Sequence, residues 1–136
     1  MSHQMNGTAS RTFSEPFNKV DDASRIAAKR IFLQVEEVAT MESGQVTKAR
    51  VGDMDVTLEL ETLSPNLTRV SVKARKDLFR VDGATAQEII VQIERALSNI
   101  NLAEAEAEKL RINNARYVEP DGNRKVSTPT RKKSTI

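Results

Sequence analysis

The sequence predicts an α+β fold, a two-layer sandwich in which an antiparallel sheet carries two helices on one face. Two stretches have apolar residues at helical spacing, and between them apolar and polar residues alternate through four consecutive strands. A short edge strand before the first helix gives the order β-α-β-β-β-β-α, followed by a C-terminal helical extension. With 136 residues, 38% of them hydrophobic, the chain has room for one such domain.

The first helix is predicted over 17–32, directly after a short edge strand over 11–16. Its core-facing residues recur at steps of three and four: Val20, Ala23, Ala27 and Ile31. Asn18 is the expected N-cap. Asp21 and Asp22 would then lie in the first turn, where the helix dipole favours negative charge.

The predicted strand register follows from two turns, because cross-strand partners must share a face of the sheet. A two-residue turn over 52–53 sets pairs between the second and third meander strands: Val51–Met54, Ala49–Val56, Thr47–Leu58, Arg50–Asp55 and Lys48–Thr57. A three-residue loop over 64–66 sets pairs with the fourth strand: Leu60–Val70, Leu58–Val72, Glu61–Arg69 and Asp55–Arg75. An acidic strand then lies between two basic strands, which neutralises the outer face. The remaining meander strand, over 35–41, precedes them and is, like 11–16, an edge that could accept a partner strand.

A second core helix is predicted to begin at an N-cap, Asp82 or Thr85, and to end near residue 100. Its apolar stripe consists of Ala86, Ile90, Ile93, Leu97 and Ile100. The helical extension over 101–118 has a thinner stripe, so it needs a partner surface: its own sheet, a second copy of the chain, or another protein. The candidate partner-binding residues are Leu102, Ala103, Ala107 and Leu110.

Charge and composition divide the chain into a disordered leader (1–10), the α+β domain (11–100), the extension (101–118) and a disordered basic tail (119–136). Residues 121–136 carry a net charge of +4, so residues 1–120 carry −2. The tail is a candidate anion-binding segment through Arg124, Lys125, Arg131, Lys132 and Lys133.

The inventory of reactive side chains argues against an enzyme. The sequence has no cysteine and a single histidine, His3, which excludes thiolate metal sites and leaves little basis for imidazole catalysis. The acidic cluster of Asp53, Asp55, Glu59 and Glu61 alternates along one strand opposite arginines, so a salt-bridged face explains it better than a metal or acid–base site. We therefore predict no catalytic residue, no metal and no cofactor. A ligand-binding enzyme would need a concave polar pocket, of which the sequence gives no sign.

A resemblance to a known family covers about residues 12–98. Its most specific part is the run Leu-Ser-Pro-Asn-Leu-Thr-Arg-Val-Ser-Val over 63–72, joined by the first helix, the turn at 52–53 and the Asp-Gly-Ala-Thr start of the second helix over 82–85. In these features the chain resembles a family of small bacterial cell-envelope proteins of unknown function, often lipoproteins. The resemblance implies an α+β periplasmic module with no established activity and no catalytic residues to carry over.

The leading functional hypothesis is a non-enzymatic protein-interaction or scaffolding module of bacterial envelope type, with another protein or a second copy as its partner. The alternative is a nucleic-acid or anionic-surface binder that acts through the basic tail. The resemblance favours the periplasm or cell envelope. The sequence carries no signal peptide and no lipidated cysteine, so a cytoplasmic location is the alternative, and it has no apolar run of transmembrane length.

Overall fold

The computed structural model describes residues 2–5, 7–77 and 80–117, with side chains for 7–77 and 80–115. The elements are strands β1 (Ser2–Met5), β2 (Thr8–Phe13), β3 (Gln34–Met41), β4 (Gly44–Val51), β5 (Met54–Ser64) and β6 (Leu67–Arg75), and helices α1 (Phe17–Arg30) and α2 (Gly83–Tyr117). The chain divides into two units after Ile100. The first is an α+β sandwich with the predicted element order, preceded by one strand that the sequence analysis did not predict.

All strand pairs in the described residues are antiparallel, and they form one sheet in the order β1-β2-β6-β5-β4-β3. The consecutive strands β3 to β6 form the predicted meander. The earlier strand β2 pairs with β6 at the far side of that meander. Strand β3 therefore occupies one edge of the sheet, and β1 occupies the other. The strand predicted over 11–16 is not an edge, because β2 pairs with β1 on one side and with β6 on the other.

The predicted register is confirmed. Between β4 and β5 the pairs include Val51–Met54, Ala49–Val56, Thr47–Leu58, Lys48–Thr57 and Arg50–Asp55. Between β5 and β6 they include Leu60–Val70, Leu58–Val72, Glu61–Arg69 and Asp55–Arg75. The loop between these strands is one residue shorter than predicted, because Ser64 pairs with Leu67 and the register shifts between Thr62 and Ser64. The shift absorbs the missing loop residue and keeps the apolar side chains on one face.

The core lies between the helices and the inward face of the central strands. The sheet contributes fully buried side chains such as Leu60, Val70 and Val72, and the helices contribute Val20 and Ile90. Removing this apolar surface from water is the main favourable term in folding. The predicted helical stripes are therefore the faces that the sheet covers.

The N-terminal prediction was wrong in part. Residues 1–10 were expected to be a disordered leader, but Ser2–Met5 pairs with Thr8–Arg11, and β2 begins at Thr8 rather than near residue 11. Gly7 lies between the strands with φ +76°, and a Cβ there would come 2.3 Å from Val81 Cβ. The polar sequence of β1 has no apolar alternation, so its pairing depends on tertiary contacts that a local pattern does not show.

The start of α1 also differs from the prediction. Helix α1 begins at Phe17 with Pro16 at the N-cap position, and the Pro16 carbonyl accepts hydrogen bonds from the amides of Lys19 and Val20. Asn18 lies inside the helix, where its Oδ1 accepts a hydrogen bond from the Lys19 amide. The extended backbone of Pro16 already has the conformation of an N-cap residue. Because the helix begins early, no acidic residue lies in its first turn.

Asp82 is the N-cap of α2, one of the two predicted candidates. The predicted end near residue 100 was wrong, because the core helix and the extension form one continuous helix to Tyr117. Asp82 Oδ1 accepts a 2.9 Å hydrogen bond from the Thr85 amide. The Thr85 backbone and side-chain hydrogen bonds hold the pKa of the Asp82 carboxyl below its usual range.

Candidate functional site

The clearest candidate for a binding surface is the edge strand β3. All eight of its residues are exposed. Three apolar side chains keep about half of their surface in contact with solvent: 53% for Val35, 53% for Val38 and 45% for Met41. In the described sheet β3 pairs only with β4, so its second edge presents backbone N–H and C=O groups to solvent.

The side of β3 that faces the helices is left uncovered. Val35 pairs with Ala49 and Val38 pairs with Thr47, so the valines lie on the same face of the sheet as these neighbours. Ala49 and Thr47 are buried, at 2% and 7% exposure, whereas both valines are half exposed. The core thus ends at β4, and β3 extends beyond the helical layer with an apolar inner face.

A groove of about 320 Å³ occupies the space between this strand and α1. One wall is formed by Val35 and Val38, the other by Ser24, Arg25 and Ala28 of α1. Its remaining lining consists of Asp21, Leu33, Gln45, Thr47 and Leu58. Such a concave, mostly apolar surface with a few polar groups suits a bound side chain or peptide.

Asp21 gives the groove a polar component. Its Oδ1 accepts a hydrogen bond from Gln45 Nε2 at 3.1 Å, and its Oδ2 lies 3.0 Å from Arg25 Nη2. The Asp21 side chain is only 14% exposed, whereas that of Arg25 is 72% exposed. The carboxylate is thus held in place, while most of the arginine surface stays in solvent.

Phe32 stands directly before the groove residue Leu33 in an uncommon conformation. It is 84% exposed and has φ +58°. The amides of Phe32 and Leu33 donate to the carbonyls of Lys29 and Ala28, which closes α1 with a Schellman motif. That motif normally has glycine at the left-handed position, because other L-residues are strained there. A phenylalanine that is both strained and exposed is typical of the aromatic anchors of protein interfaces.

The edge is acidic. Residues 33–43 contain Glu36, Glu37 and Glu42 and no basic residue. Both glutamates of β3 are exposed. The pairing with β4 shifts between Val35 and Glu37, so a bulge at Glu36 interrupts the strand. An approaching partner strand would therefore meet negative charge, which favours basic side chains and opposes acidic ones.

Three of the four carboxylates in the acidic cluster, those of Asp53, Asp55 and Glu61, form ion pairs. Arg50 bonds Asp55, Arg69 Nη2 lies 2.8 Å from Glu61 Oε1, and Lys76 Nζ lies 3.6 Å from Asp53 Oδ2. The carboxylates lie on the outer face of β5 and in the turn that precedes it. Among the described residues, no group of three His, Cys, Asp or Glu side chains could hold a metal ion.

The structure brings three of the four predicted partner-binding residues to one face of the C-terminal helix. Ala103, Ala107 and Leu110 follow one another at helical spacing and are exposed. Leu102 is also exposed, but it lies about 100° around the helix axis from Ala103. The predicted anion-binding tail, from Arg124 to Lys133, lies outside the described residues.

The strand over 35–41 was predictable from the sequence as an edge, but the groove was not. Asp21, Gln45 and Phe32 were not selected as site residues, because nothing local shows that α1 leaves β3 uncovered. One signal was present: Val35 and Val38 are three residues apart, so they share a face only if the strand contains a bulge. A second signal was the end of the first helix, which has no glycine, so that Phe32 takes the left-handed position.

Comparisons with known proteins add no identification. No protein-family model matches the chain, and a search of curated proteins returned no match. The resemblance to bacterial envelope proteins therefore stays a prediction. In the part of the chain that the structure describes, no helix has the length and apolar character needed to cross a membrane.

Proposed function

We propose that the protein is a non-enzymatic interaction module that binds an extended segment of a partner protein along strand β3. The observation that supports this most directly is an edge strand whose eight residues are all exposed and whose inner, apolar face borders a groove. A bound segment would add a seventh strand to the described sheet, with main-chain hydrogen bonds giving affinity and alternate side chains giving specificity.

The chemistry of the edge defines the partner segment. Its inward-facing side chains share the groove with Val35 and Val38, so they should be aliphatic. Its outward-facing side chains lie on the same face as Glu37, so they should be basic. A second copy of β3 fits less well, because antiparallel pairing of two such edges would bring their glutamates together.

Phe32 and Asp21 extend this proposal beyond the backbone. The exposed ring of Phe32 supplies an aromatic anchor at the start of the edge. The Asp21 carboxylate, held by Gln45 and Arg25, lies in the groove lining and can accept a hydrogen bond from an N–H group of the bound segment. By the resemblance described above, the proposed compartment is the bacterial envelope.

A labelled octapeptide of alternating lysine and valine, matched to the eight residues of β3, tests the proposal by fluorescence anisotropy. We expect saturable binding that weakens as the salt concentration rises, because exposed charge pairs are screened. An alternating glutamate–valine octapeptide is the matched control and should bind at least about tenfold more weakly, a difference of about 1.4 kcal/mol. Equal binding of the two peptides, or no binding of the first, would overturn the proposal.

A further inference from the structure

The helix over 101–117 presents an apolar stripe whose spacing is that of a coiled coil. Ala103, Ala107, Leu110 and Asn114 are separated by steps of four, three and four, which corresponds to heptad positions d, a, d and a. All four are exposed, and Leu110 is 62% exposed. Three of these positions carry apolar residues that a partner helix would remove from water.

Charge along this segment is divided by position. Glu104, Glu106 and Glu108 occupy its first half, whereas Lys109 and Arg111 follow in its second half. Two such helices side by side in opposite directions bring each acidic half next to a basic half. Parallel helices would instead align like charges along their length.

From this pattern we propose that residues 101–117 pair two copies of the chain as an antiparallel two-helix contact. In a two-fold arrangement Ala107 of each copy lies opposite Leu110 of the other. The symmetry forms this contact twice, and each time a small side chain packs against a large one. Ala103 lies opposite the second copy's Asn114.

The flanking positions support the same register. Glu104 and Arg111 both occupy heptad position e. In the antiparallel arrangement position e of one helix lies beside position e of its neighbour, so Glu104 pairs with the second copy's Arg111. Within a single chain Arg111 Nη2 lies 2.6 Å from Glu108 Oε2, and Arg111 would reorient or share its donors in the pair.

Analytical ultracentrifugation of the full chain tests the pairing. We expect a monomer–dimer equilibrium that depends on protein concentration, because the contact is short. Ala107→Glu places a charge on the stripe and should weaken association at least about tenfold. Ala105→Glu is the matched control: it adds the same charge to the same helix, away from the stripe, and should leave the equilibrium unchanged.

Orientation is tested by disulfide trapping, for which the absence of native cysteine is an advantage. Ala103→Cys and Asn114→Cys proteins, oxidised as an equimolar mixture, should form the mixed disulfide in well over half of the crosslinked dimers, because random pairing alone gives half. A mixed share of half or less would overturn the antiparallel arrangement. Wild-type protein that stays monomeric up to about 1 mM, or equal association of the two glutamate variants, would overturn the pairing itself.

Discussion

At the scale of single residues, Phe32 combines backbone strain with an exposed ring. Its left-handed conformation is disfavoured for an L-residue, and at 84% exposure the ring gains little from packing. A residue that lowers stability in the free protein is expected where it serves binding. We therefore expect Phe32→Gly to change the free energy of unfolding and the affinity for a partner in opposite directions.

Phe32→Gly should raise the free energy of unfolding by about 1 kcal/mol, because glycine adopts the left-handed conformation without strain. The same change should weaken binding of the lysine–valine octapeptide. Phe32→Ala is the control: it removes the ring but keeps the strain, so it should weaken binding without stabilising the protein. Urea unfolding and anisotropy measure the two effects. A Phe32→Gly protein with undiminished binding would exclude the ring as an anchor.

Asp82 should make the stability of α2 depend on acid pH. Its pKa is lowered in the folded state by hydrogen bonds from Thr85, so the cap contributes its full stabilisation above the pKa of the unfolded chain. That stabilisation is lost as the pH falls through the lowered folded-state pKa. Wild type should therefore exceed Asp82→Ala in stability at neutral pH, and the difference should shrink on acidification. A difference that stays constant with pH would contradict the charged cap.

Gly44 is required for steric reasons at the β3–β4 turn. A Cβ at this position would come 2.0 Å from the backbone oxygen of Leu60. Gly44→Ala should therefore destabilise the protein by about 1–3 kcal/mol in urea unfolding, the range typical of overpacked sites. Gly52 is the contrasting turn residue, with φ +61° and open space around it. Gly52→Asn should be nearly neutral, because asparagine tolerates this conformation. Equal effects of both changes would contradict the steric explanation.

At the scale of elements, the two faces of β3 can be tested against each other. Val38 faces the groove, and Ala39 lies on the opposite face; both are exposed. Val38→Gln should weaken binding of the lysine–valine octapeptide at least about tenfold, because it places a polar amide among the valine side chains that enter the groove. Ala39→Gln adds the same uncharged group to the same strand outside the groove and should weaken binding far less. If Ala39→Gln were the more damaging change, the binding face would be the outer one.

The elements that the sequence predicted best are those determined by short-range patterns. The register at the 52–53 turn followed from alternation and loop length, and each predicted pair around Ala49–Val56 is confirmed. Asp82 was recognisable as a cap from its distance to Thr85. The N-cap of α1 was missed because a side-chain cap was assumed, whereas the extended backbone of Pro16 begins that helix.

At the scale of the whole molecule, the sequence could not show which strand the helical layer leaves uncovered. Strand β2 pairs with β6 across the meander, and this long-range contact places β3 at an edge. The burial of Ala49 and the exposure of Val35 on the same face follow from that arrangement. The β1 hairpin, with Gly7 against Val81, is another contact between distant parts of the chain. The edge groove is therefore a property of the assembled sheet.

Amide hydrogen exchange shows directly whether a bound segment pairs with the free edge of β3. In the free protein, the amides of residues 34–41 that point away from β4 should exchange rapidly, because they belong to an unpaired edge. Saturating lysine–valine octapeptide should slow these amides at least about tenfold, as a bound strand accepts their hydrogen bonds. Protection confined to other parts of the chain, or unchanged exchange along β3 despite binding, would exclude β3 as the binding edge.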